Sequence, residues 1–142
     1  MEEQNFKNHA RMVPGFHYLG LSLILGLLGE SIYYLIRTSS ENKFLGFLLV
    51  LISIILVILW IYIRIFPLKA QDRAIRAEEN LRFYVLTGKL LPSTLTIAQT
   101  IALRFAPDEE LVELVDRVVN ENLSAKDIKL SIKNWKADYH RV

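Results

Sequence analysis

Two apolar runs constrain this chain more than any other feature. Phe16 to Ile36 is 21 residues long and carries one charge, Glu30; Phe44 to Ile65 is 22 residues long and carries one charge, Arg64. At about 1.5 Å of rise per residue, either run as a helix spans a hydrocarbon core of about 30 Å. The link between them, "RTSSENK", is too short for a domain. The runs therefore predict a two-helix transmembrane hairpin, with spans at about 16–36 and 44–65 inside a segment 16–66. The expected fold class is all-α, with a short amino-terminal segment over 1–15 and a helical domain over 67–142.

Lys7 and Arg11 precede the first run, as basic residues precede a secretory signal. The run is too long for such a signal, contains Glu30, and ends in "YYLIRTSS" without a small-residue cleavage pattern, which predicts an uncleaved span. Basic residues then set the orientation. The two outer flanks together hold seven (Lys7, Arg11, Arg64, Lys69, Arg73, Arg76 and Arg82), against Arg37 and Lys43 in the link. Both termini, and the domain over 67–142, are expected in the cytoplasm, with the spans in a bacterial inner membrane. Tyr18, Tyr33, Tyr34, Trp60 and Tyr62 lie towards span ends, where aromatic anchors sit.

Composition removes several classes of function. The 17 Lys and Arg against 15 Asp and Glu leave a net charge of +2, too small for a general nucleic-acid-binding field. The absence of cysteine excludes disulfides, thiolate zinc sites and thiol catalysis. His9, His17 and His140 do not supply three or four converging metal ligands, so no metal or cofactor is expected. Glycine-rich phosphate loops, G-x-S-x-G and H-E-x-x-H are missing, and no nucleophile has an evident base, so the chain reads as non-enzymatic.

Beyond the runs, Pro67 is expected to break or kink the second helix, because proline lacks an N–H and clashes with the preceding turn. A charged helix then reaches about Thr87 and stops at Gly88. Between Gln71 and Arg82, three arginines face three acids. Asp72 with Arg76, and Glu78 with Arg82, stand at the favoured i,i+4 spacing. Thr96 with Gln99 fits a capping box opening a helix to Phe105. Pro107 and three acids open the next helix, with Leu111, Leu114, Val115, Val118 and Val119 on one face. Ser124 with Asp127 opens a last helix, expected to carry an apolar stripe of Ile128, Ile132, Trp135 and Tyr139. Lys126, Lys129, Lys133 and Lys136 form a second stripe on it. Folding this helix against the acidic one before it would bring opposite charges together; lipid headgroups are the other possible neighbours of the lysines.

The candidate functional residues are few. Glu30 is a carboxylate inside a span, which is costly and marks either a protonatable group in an oligomeric ion path or a snorkelling residue near packed helices. Ser22, Gly26 and Gly29 are small residues that let another helix come close. Arg73 and Arg76, with Lys126, Lys129, Lys133 and Lys136, make a candidate interaction surface. The partners expected are the bilayer and either further copies of the chain or another membrane protein.

The segments "QNFKNHARMVPGFH", "QDRAIRAEENLRFYVLTGKLL", "LTIAQTIALRFAPDEE" and "IKNWKADYHRV" resemble an uncharacterised family of small bacterial two-span membrane proteins across essentially the whole chain. The resemblance implies a bacterial origin and the two-span architecture; it implies no activity and assigns no residue a role. Some members carry the label ABC transporter permease. Two spans enclose no pathway without oligomerising, and the chain has no segment resembling a coupling motif.

Overall fold

The computed structural model describes residues 5–6 and 12–138, and every regular element among them is helical. A π-helical turn over Gly15–Gly20 leads into α1 (Leu21–Arg37), and a 3-10 turn over Ser40–Asn42 leads into α2 (Lys43–Thr87). Three shorter helices follow: α3 (Ile97–Leu103), α4 (Asp108–Glu121) and α5 (Ala125–Ser131). The chain divides into two compact units, one spanning Met12–Pro67 and the other containing the residues from Leu68 onward.

In the first unit, α1 and α2 pack antiparallel. Phe16 stacks on Trp60 with centroids 5.0 Å apart, Ser31 meets Ser53, and Leu35 meets Gly46. The turn is closed by Lys43, whose Nζ donates to the carbonyl oxygen of Leu35 at 2.7 Å. A cation there satisfies an orphan carbonyl and opposes the negative end of α1's macrodipole.

α2 runs on through Pro67, so the fresh helix start that the sequence allowed there is not found. Its ring lies on an exposed face. An exposed ring displaces no packed neighbour, although the Ile63 carbonyl loses its backbone donor. Thr87 ends the helix as expected. Gly88, at φ +72°, donates its N–H to the Tyr84 carbonyl in the left-handed conformation that glycine adopts without strain.

The second unit has its own core: Phe83 from α2, Leu95, then Leu103, Phe105, Leu111, Leu114, Val115, Val118, Ile128 and Ile132. The Thr96–Gln99 capping box is present, although α3 ends at Leu103 and not at Phe105. Pro107 sits at the cap of α4 in an extended conformation, one position before the first turn. Val119 is exposed while Leu111, Leu114, Val115 and Val118 are buried.

The last helix departs most from expectation. Ser124 caps it by accepting from the Asp127 N–H, but α5 ends at Ser131, and Ile132 is already extended at ψ 123°. It packs chiefly on α3 and not along α4. Ile132 and Trp135 still reach the core, but from an irregular segment and not from a helical stripe. Tyr139 lies outside the described residues.

Candidate functional site

In the first unit, the seam between α1 and α2 is built from residues spaced by seven along α2: Gly46, Ser53 and Trp60. Seven residues return nearly the same helix face. A Cβ at Gly46 would stand 3.0 Å from the Leu35 Cα, so the backbones approach closely there. Ser31 and Ser53 are buried with their oxygens 3.1 Å apart. Each hydroxyl also faces its own i−4 carbonyl, Leu27 at 2.6 Å and Leu49 at 2.8 Å. Since a hydroxyl has one proton, one serine donates across the seam while the other donates to its own helix. Trp60 Nε1 donates to the Phe16 carbonyl at 3.3 Å.

Ser22, Gly26, Gly29 and Glu30 take no part in this seam. All four are exposed, and a Cβ added to Gly26 or Gly29 would meet nothing within 4 Å. They share the open side of α1. The small residues that α2 brings to the seam are instead Gly46 and Ser53, whose seven-residue spacing with Trp60 is their signal in the sequence.

The second unit holds a half-buried ionic node at Arg82, whose side chain is 13% exposed. It donates from Nη1 to Glu79 at 3.0 Å, from Nε to Asp108 at 2.6 Å and from Nη2 to the Ala106 carbonyl at 2.7 Å. The expected partner Glu78 is instead exposed. Arg82 lies on the side of α2 that meets the core, and Glu78 does not. The forked guanidinium thus ties α2 to the start of α4.

A second cluster fixes the segment after α5. The Glu110 carboxylate accepts from the backbone N–H groups of Lys133 and Asn134, each at 3.0 Å, and from Asn134 Nδ2 at 2.9 Å. Desolvation pushes the Glu110 carboxyl up, but these hydrogen bonds and the Lys133 charge outweigh it and hold the group below its ordinary value. Lys136 N donates to the Phe105 carbonyl at 2.8 Å, Trp135 packs on the Phe105 ring at 4.9 Å, and Asp138 pairs with Arg104 at 3.1 Å.

The remaining candidates separate. Lys126 and Lys129 are on α5, while Lys133 and Lys136 follow its end, so the four lysines do not form one helical face. Lys129 instead lies 5.8 Å from the Phe105 ring centroid. Arg73 is exposed and Arg76 half-buried on α2. His17 Nδ1 accepts from the Val13 N–H at 3.1 Å; His9 and His140 lie outside the described residues. Among the described residues no three His, Asp or Glu side chains converge as metal ligands would.

A family model described as "Family of unknown function (DUF6526)" matches residues 1–142. No curated protein and no solved structure matches the chain.

Proposed function

The chain belongs to the DUF6526 family of unknown function, and we propose from its own residues that it is a non-enzymatic integral membrane protein. In this reading residues 16–66 form a two-span hairpin in a bacterial inner membrane. Both termini face the cytoplasm, and the helical domain from residue 67 binds a partner or a second copy as an accessory or scaffold subunit. The observation that carries the reading is exposure. Only 6% and 11% of the two most apolar windows are buried inside the chain. Phe44, Phe47, Ile63 and Phe66 are 55–72% exposed. A soluble protein keeps such helices in its core, and an exposed apolar surface of this extent calls for lipid. The excess of basic residues on the outer flanks supports the orientation.

Carbonate extraction followed by native mass spectrometry in mild detergent tests the proposal. The chain should stay with the membrane fraction and leave it as an assembly. Release by carbonate overturns the membrane reading, and a partnerless monomer overturns the scaffold reading.

One observation favours a second reading, a homo-oligomeric channel or transporter subunit. Glu30 is exposed on the open side of α1 beside Gly26 and Gly29, so a path using this carboxylate would form between copies. Glu30→Gln should then abolish an ion flux in liposomes while the oligomer survives; wild-type flux equal to that of empty liposomes sinks this reading.

A further inference from the structure

Between Leu68 and Thr87, α2 has two different faces. Ile75, Glu79 and Phe83 are buried. On the opposite side Ala70, Ala74, Ala77, Leu81 and Tyr84 are all exposed. Their spacing is 4, 3, 4 and 3, which is the seam spacing of a coiled coil. At about 100° per residue, the centres of the two faces stand roughly 180° apart. The outer face ends in large apolar surface: Leu81 is 64% exposed, Tyr84 52% and the flanking Val85 75%.

Two charges border the seam, one on each side. Arg73 precedes Ala74 on one edge and Glu78 follows Ala77 on the other; both are exposed, and neither makes an ion pair among the described residues. They stand five apart, outside the i,i+3 and i,i+4 reach of a single helix. In a parallel, in-register pair of helices, that is the separation that brings one flanking position against the other on the partner.

We propose that this face pairs with the same face of a second copy, parallel and in register, so that Arg73 of each chain meets Glu78 of the other. The occupant follows from the charges: the surface is its own electrostatic complement under a two-fold axis, so a second copy satisfies both charges at once. Antiparallel pairing sets like edges against each other and loses this match. Two copies inserted the same way in one bilayer also present their α2 helices parallel. The alanines permit close approach, and Leu81 with Tyr84 supplies the buried apolar area. The pairing deepens the scaffold reading and rests on its membrane orientation.

The native chain has no cysteine, so single cysteines report without background. Ala74→Cys, Ala77→Cys and Leu81→Cys, oxidised in membrane vesicles with copper phenanthroline, should each give a disulfide-linked dimer. Leu86→Cys, exposed but on the other side of α2, should not. In the Leu81→Cys background, Arg73→Glu or Glu78→Arg alone should lower the cross-linked fraction, and the two together should restore it. A chain retained in carbonate-washed membranes without seam cross-links overturns the pairing while leaving the membrane reading intact. So do cross-links of equal strength at Leu86, or a product whose mass includes a different protein. Release by carbonate fails the membrane reading itself.

Discussion

Ser31 and Ser53 place their hydroxyl oxygens 3.1 Å apart in the buried seam between α1 and α2, each within reach of its own helix's backbone. Because each serine keeps a local acceptor, losing the cross-seam bond costs little. Ser31→Ala and Ser53→Ala should each weaken the helix pair by about 0.6 kcal/mol if the pair lies in lipid. Gly46→Ala should cost more, about 1–3 kcal/mol, because the added methyl meets the Leu35 Cα as well as its side chain, and the backbone atom cannot swing away. Thermal unfolding in detergent should rank Gly46→Ala as the most damaging of the three.

Replacing Arg82 tests the ionic node. Arg82→Met leaves the 9%-exposed Glu79 side chain without its cation and should lower domain stability by about 3 kcal/mol. Arg82→Lys should recover only part of that, since a single ammonium cannot reproduce the three-way fork to Glu79, Asp108 and the Ala106 carbonyl. Denaturant titration followed by circular dichroism distinguishes the three proteins.

Glu110 makes the carboxyl-terminal segment acid-sensitive. Its carboxyl is held below its ordinary value of about 4.5, so the anchoring is fully present above that pH and is lost as pH falls through the lower, folded value. Trp135 fluorescence in a Trp60→Phe background should report release of residues 132–134 below about pH 4.5. Glu110→Gln, which keeps one acceptor oxygen and no charge, should show partial release already at pH 7 and a flatter acid response.

Pro67 gives a prediction of opposite sign. Pro67→Ala restores the N–H that the Ile63 carbonyl lacks and removes a residue that costs up to about 3 kcal/mol in a helix interior. Hydrogen exchange around residues 64–68 should slow. Faster exchange there would mean that the proline is needed for local packing.

What the sequence disclosed, and what it withheld, divides by distance along the chain. The Thr96–Gln99 box, the Gly88 stop and the start of α5 at Ser124 involve partners within four residues, and all three were legible. The end of α5 was not. Ile128, Ile132 and Trp135 keep helical spacing in the sequence, yet the backbone leaves the helix where Glu110, 23 positions earlier, captures the Lys133 N–H. Arg82 follows the same division only in part, since its local partner Glu79 is three residues away while the side it faces is set from a distance. Its i,i+4 partner was visible, but Asp108, 26 positions on, holds it from another helix. Among the candidate residues, Glu30 stood out as a charge in an apolar run. The spacing of Gly46 with Ser53 and Trp60 was a faint signal of a shared face; how closely the backbones approach at Gly46 emerges only once Leu35 is known to lie against it.

The strap over residues 132–138 also sets an order of events. The ribosome delivers it after α3, α4 and α5, yet it provides Ile132, the Trp135 ring against Phe105 and the carboxylate opposite Arg104. Until it emerges, Phe105 has no aromatic cover from that side, and Glu110 has no amides to bind. The two apolar helices are therefore synthesised well before the domain that follows them can close, and translation stalled near residue 131 would leave that domain's core open.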